Sequence, residues 1–158
     1  MRESIRYRPA TEEDLPFLFA LYASTRADEM RMVQWNDGEK LAFLEMQFRA
    51  QKSHYEEFYS DAEHLVIEKD GAPIGRLYID RAPEDIRIVD IALLPEARGG
   101  GIGTMLLREI LDEAAASSRV VSIHVEIYNP AKHLYERLGF QYVETTGIYQ
   151  LMKWRAAT

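Results

Sequence analysis

Three consecutive glycines, Gly99-Gly100-Gly101, stand between a strand-like run and a helix-like one, and they restrict the chain more than any other feature. Upstream, Ile86 to Leu94 reads as a strand that Pro95 ends. Downstream, Ile102, Leu106, Ile110 and Ala114 recur at helical spacing, and the helix they mark runs to about Ala116. A strand, an arginine (Arg98), a glycine loop and a helix in that order describe an anion site. The first N–H groups of a helix lack internal partners, and the helix dipole places partial positive charge there. Glycines allow positive φ and let a bulky phosphate approach the backbone, and Arg98 adds a planar fork of donors. A diphosphate is the natural guest. Gly103-Thr104 lacks the lysine of a nucleotide-hydrolysing P-loop. The dinucleotide pattern fails as well, because its third glycine would fall on Thr104 or Leu106. Arg-x-x-Gly-x-Gly, filled by Arg98, Gly101 and Gly103, is what remains. The competing reading is a loose helix start with an incidental arginine.

The rest of the chain alternates strands and helices. Ile5 to Arg8 reads as a short strand ending at Pro9. Thr11 and Asp14 form a capping box for a helix carrying Leu15, Leu18, Leu21 and Tyr22. Asn36-Asp37-Gly38 opens a second helix from about Glu39 to Tyr55, with Leu41, Leu44, Phe48, Gln51 and Tyr55 near one face. His64 to Lys69 and Ile74 to Asp80 form a hairpin around Asp70-Gly71. Val120 to Ile127 is a strand. Ala131 to Leu138 is a short helix closed by Gly139, and Phe140 to Glu144 and Tyr149 to Trp154 are the last two strands. The order β-α-α-β-β-β-α-β-α-β-β predicts an α/β (α+β) fold. It has a mixed, mostly antiparallel central sheet with helices on both faces, and one parallel pair joined by the Ile86–Ile127 crossover. No repeat or linker interrupts it, so residues 1–158 read as a single domain.

Composition removes several functions. The 158 residues contain no cysteine, which excludes a disulfide framework, thiolate metal sites and a cysteine nucleophile. No apolar run approaches the ~20 residues of a spanning helix. The start at Met1-Arg2-Glu3 leads directly toward a strand without a leader's apolar stretch. The expected location is therefore the cytoplasm, with no membrane partner. The net charge of −7 comes without a clustered basic patch, which argues against nucleic acid and mildly favours cationic substrates such as amines.

Two motifs at matched spacing make the chain resemble the GNAT N-acetyltransferases. Arg98-Gly-Gly-Gly-Ile-Gly103 is similar to that family's pyrophosphate loop. Asn129-Pro-Ala with Leu134-Tyr-Glu-Arg-Leu-Gly-Phe140 is similar to its second motif. The resemblance spans roughly Leu65 to Trp154, whereas the first sixty residues match only in having a strand and two helices. It implies a transferase that moves an acetyl group from acetyl-CoA to a primary amine of a small molecule, amino acid or peptide. The backbone of Ile91, Ala92 and Leu93 would hold the pantetheine arm. The N–H groups of Gly99, Gly100, Gly101, Ile102, Gly103 and Thr104 would cradle the diphosphate beside Arg98. Asn129 would bind the arm, with Ala131 and Leu134 packed next to it.

By the same resemblance, Tyr135 would donate to the departing thiolate. With a phenol pKa of ~10 and a thiol pKa of ~8.5, full proton transfer is uphill by ~2 kcal/mol, so hydrogen bonding carries more weight than transfer. The competing reading of Tyr135 is a core aromatic. For the base, Glu126 and a water relay are equal candidates. Asp90 is expected opposite Arg76 as a cross-strand ion pair, and Glu84 and Asp85 are expected in a solvated loop. His124 and Glu126 share a strand face but are too few for a catalytic metal, so no metal is expected. His54 and His133 read as surface or packing residues. The acceptor would meet Trp35, Gln47, Gln51 and Tyr55 from the first helices, and Arg76 and Tyr78 from a strand. The competing reading of that region is one apolar and one solvated helix face. A homodimer is compatible with the sequence. A non-catalytic acyl-CoA-binding sensor or interaction module is the alternative to an active enzyme.

Overall fold

The computed structural model describes residues 4–157, so the reading of Met1–Glu3 lies outside it. Seven strands form one mixed sheet in the order β1-β2-β3-β4-β5-β7-β6. The chain divides into two compact units, Met1–Leu77 with Ala92–Glu96, and Tyr78–Ile91 with Ala97–Thr158.

In the first unit, β1 (Ile5–Pro9) pairs antiparallel with β2 (Glu63–Lys69), from Ile5↔Lys69 to Pro9↔Leu65. Asp70 (φ +52) and Gly71 (φ +85) make the expected turn into β3 (Ala72–Arg81), both in the left-handed region that a two-residue hairpin loop requires. After β1, Thr11 N–H donates to Asp14 Oδ2 (2.8 Å), and α1 (Leu15–Thr25) follows. α3 (Asp37–Phe58) starts at Asn36, whose Oδ1 accepts from Glu39 N (2.8 Å) while Glu39 Oε1 accepts from Asn36 N (3.0 Å). Between them lies a helix the sequence did not announce, α2 (Ala27–Met32). Its six residues bury only Met30, too few for a 3.6-residue period to be visible. Leu18 and Tyr22 of α1, Met30 of α2, and Leu44 and Phe48 of α3 form the helical core, with Phe48 edge-on to Phe19 at 5.6 Å. Leu41 departs from its expected place on the buried face and is 49% exposed, because α3 begins a full turn before the residues that reach this cluster.

In the second unit, β4 (Asp85–Leu93, through Ile91) runs parallel to β5 (Val120–Glu126), which confirms the predicted crossover. β5 pairs antiparallel with β7 (Tyr149–Trp154), and β7 with the edge strand β6 (Gln141–Thr146). α4 (Ile102–Ala116) buries the predicted stripe of Ile102, Leu106, Ile110 and Ala114, and Leu107 and Leu111 as well. Val121, Ile123 and Val125 are the buried alternate positions of β5. α5 (Lys132–Arg137) is closed by Gly139 (φ +102), where a Cβ would meet the Trp154 ring at 3.3 Å.

Candidate active site

The glycine loop is in the second unit and is open. Gly99 (φ +81) and Gly101 (φ +86) adopt left-handed backbone, and a Cβ built on Gly99, Gly100 or Gly101 meets nothing within 4 Å. The first helical bond of α4 runs from Met105 N to Gly101 O (3.0 Å), so the N–H groups of Ile102, Gly103 and Thr104 precede the hydrogen-bonded ladder. Gly101 offers no side-chain cap, and the first turn of α4 carries no acidic residue. Buried Ile102 anchors the loop, and Arg98 is exposed at its head. Bare amides, open space and a positive helix end fit a diphosphate.

Beyond this loop the parallel strands go on past their pairing. The β4–β5 register runs from Asp85↔Val120 to Ile88↔Ile123, while β5 remains paired with β7 as far as Glu126↔Tyr149. Val89–Ile91 and His124–Glu126 are thus strand residues beyond the last shared pair. Here β5 is held by β7 on its other side. Ile91 is half-buried in this stretch, and Glu126 ends β5, half-buried, three residues past the last pair.

Tyr135 is buried in α5, its ring 5.6 Å from Phe140 and edge-on to it. Burial first, and the negative charge of Asp90 second, push its phenol well above its ordinary value. The phenol therefore holds its proton and is available as a hydrogen-bond donor. Asn129 builds the turn in front of it, because its Oδ1 accepts from Ala131 N (2.9 Å). The Nδ2 end of the amide is the part that remains to serve a ligand. Ala131 and Leu134 are half-buried in the same short segment, with Leu134 N donating to Ala131 O (3.0 Å).

In the first unit, Ala92 and Leu93 are half-buried and lie against β3 at Gly75, where a Cβ would stand 2.3 Å from Ala92 O and 2.8 Å from Leu93 Cδ2. Leu94 N donates to Ile74 O (2.7 Å) beside it. Gly75 is a positioning residue that the sequence reading passed over. A lone glycine inside a strand pattern was the available signal, since it marks a close backbone approach. The same unit joins three of the expected acceptor residues. Arg76, 5% exposed, donates through Nη2 to Gln51 Oε1 (2.5 Å), and its guanidinium lies 5.7 Å from the centre of the Tyr55 ring. Trp35 is 5.2 Å from Phe43, edge-on, and Gln47 is exposed one turn before Gln51. Tyr78, which opens the second unit, is buried on β3. His54 packs on Phe58 (4.7 Å), and His133 is exposed with Nδ1 3.5 Å from Glu136.

Residues 12–140 match the acetyltransferase (GNAT) family, and the chain belongs to that family. A Bacillus subtilis (strain 168) protein named as a candidate ribosomal protein bS18-alanine N-acetyltransferase is 38% identical over 82 residues, which are 51% of this chain and 54% of that protein. The match therefore spans about half the length of this curated relative. Among solved structures, the PaiA N-acetyltransferase of Thermoplasma acidophilum in complex with coenzyme A has the same fold. Its TM-score is 0.71 at 19% identity, with 97% of this chain and 99% of that one covered. The ribosomal-protein-alanine N-acetyltransferase of Brucella melitensis aligns with a TM-score of 0.58 at 25% identity over 96% of this chain and 99% of its own. No helix among the described residues is long and apolar enough to cross a membrane.

Proposed function

We propose that the chain is a cytoplasmic, acetyl-CoA-dependent N-acetyltransferase acting as one domain on a primary amine. The observation that carries this reading is the open glycine loop at the uncapped start of α4, in a chain that also buries Tyr135. Acetyl-CoA supplies the acetyl group as an activated thioester. The amides of Gly99 to Thr104 and the Arg98 guanidinium hold its diphosphate. Backbone groups of Ile91, Ala92 and Leu93, with Asn129, Ala131 and Leu134, line its arm.

Tyr135 faces the sulfur as a hydrogen-bond donor. Its raised pKa makes full transfer to a thiolate more uphill than for a free phenol, so donation rather than transfer is its contribution. Glu126, or a water relay in its place, takes a proton from the substrate ammonium, and the neutral amine then attacks the thioester carbonyl. Trp35, Gln47, Gln51, Tyr55, Arg76 and Tyr78 shape the acceptor side, with Gln51, Tyr55 and Arg76 as its fixed part. The alanine-directed names of the B. subtilis and B. melitensis relatives support an amino-acid or peptide amine as acceptor.

A thiol-release assay with acetyl-CoA over a panel of amines, amino acids and peptides tests the reading. Amine-dependent release above the hydrolysis background supports it. CoA binding with no release for any amine would replace it with a non-catalytic acyl-CoA-binding module.

A further inference from the structure

The second unit carries a groove that the acetyl-transfer reading does not use. It has a volume of about 510 Å³ and is lined by Glu84, Asp85, Arg87, Val120, Ser122, His124, Leu151 and Lys153. It lies on the face of the sheet opposite the buried Val121, Ile123 and Val125. Strand register builds it. Arg87 pairs with Ser122 and Ser122 with Lys153, so the three stand in one row across β4, β5 and β7. His124 and Leu151 form the next row.

The charges in this groove are divided by position. Arg87 Nη2 contacts His124 Nδ1. Arg87 and Lys153 stand on either side of Ser122 in one row, with His124 in the next row. Among the described residues, neither Arg87 nor Lys153 forms an ion pair with a carboxylate. In a chain of net charge −7, two cations that line one groove from β4 and β7 without a carboxylate partner favour an anion. The opposite end of the groove is acidic. Asp85 Oδ2 is occupied by the Ser122 hydroxyl (2.9 Å), and the Glu84 carboxylate stands next to it in sequence.

We propose that this groove binds a small zwitterion, with its carboxylate on Arg87 and Lys153 and its ammonium toward Glu84. Asp85 and Arg87 are two residues apart on one strand, a rise of about 6.6 Å, so a ligand with well-separated charges spans the two ends. Most of the site lies on the paired part of β4 and β5, with His124 one residue past the last pair, whereas the transfer chemistry is assigned to Glu126, Tyr135 and the loop before α4. It does not depend on that chemistry.

The test is titration of the apo protein, without acetyl-CoA, with δ-aminovalerate, valerate and pentylamine. The His124 ring resonances and calorimetry provide the readouts. δ-Aminovalerate is expected to bind saturably and about tenfold more tightly than either singly charged analogue. Lys153→Ala, at an exposed position that leaves the fold intact, and Arg87→Ala are each expected to weaken it by a similar factor. Glu84→Gln should erase the preference over valerate. Gly101→Glu, which removes the proposed diphosphate site, should leave binding unchanged and so separates this inference from the enzymatic one. Equal binding of all three probes, no saturable binding, or affinity unchanged in Lys153→Ala and Arg87→Ala would each overturn the proposal.

Discussion

The starts of α3 and α4 solve the same problem in opposite ways. At α3, Asn36 and Glu39 satisfy each other's amides at 2.8 and 3.0 Å, so the end is closed by the chain's own side chains. At α4 the N-cap is Gly101, with no side-chain bond, no acidic residue in the first turn, and empty space around three glycines. α1 resembles α3. Its approach is fastened by Thr11 and by Asp14, whose carboxylate takes two bonds from Arg8 at 2.7 and 2.8 Å. A capped helix start is structural, while one left bare and lined with glycine is available to an anion from outside. The two kinds of glycine differ in the same sense. Those at 99–101 face open space, whereas Gly75 is needed because nothing larger fits against Ala92.

The strongest way to break this contrast is at Gly75. Gly75→Val puts a side chain where backbone stands 2.3 Å away, and is expected to cost about 3 kcal/mol, or roughly 6–10 °C in Tm, in a melting experiment. Gly100→Ala, in open space and without left-handed φ, is expected to melt like wild type.

Gly101→Glu should act on the ligand, with CoA affinity falling about 100-fold or more, near 2.7 kcal/mol, as a carboxylate takes the phosphate's place. Calorimetry reads this directly. Tyr135→Phe removes only a donor. It should lower kcat by roughly 10–100-fold with KM for acetyl-CoA unchanged, and full activity across pH 6–9 would remove Tyr135 from the mechanism.

The side-chain fastening before α1 predicts a pH effect. Hydrogen bonds from Arg8 hold the Asp14 carboxyl down at about 2, below its value in the unfolded chain. Its stabilisation is therefore complete above about pH 4 and is lost as pH falls toward 2. It amounts to about 1–2 kcal/mol because Arg8 is partly exposed and screened. Asp14→Asn should flatten that part of the acid-denaturation profile. Asn36→Ala should cost about 1 kcal/mol of stability and leave CoA affinity untouched.

The second half of the chain was the more legible one. Its elements are bounded by Pro95 and Gly139, and its ligand loop works through backbone, so glycine itself is the signal. The acceptor side works through side chains brought together from distant positions. Gln51 and Arg76 meet across 25 residues, and no local period announces such a pair. α2 was missed because one buried residue makes no pattern. Leu41 was misplaced because a correct helical face says nothing about where the opposing surface ends. The influence of Asp90 on Tyr135 likewise required three dimensions.

The most direct test of the anion site is an amide ¹H–¹⁵N titration of the wild-type protein with CoA and, separately, with pantetheine, which lacks the diphosphate. The expected result is that the amides of Gly99 to Thr104 shift with CoA and remain in place with pantetheine. If those six amides stay unmoved at saturating CoA, the diphosphate rests elsewhere and the assignment of the α4 loop is wrong.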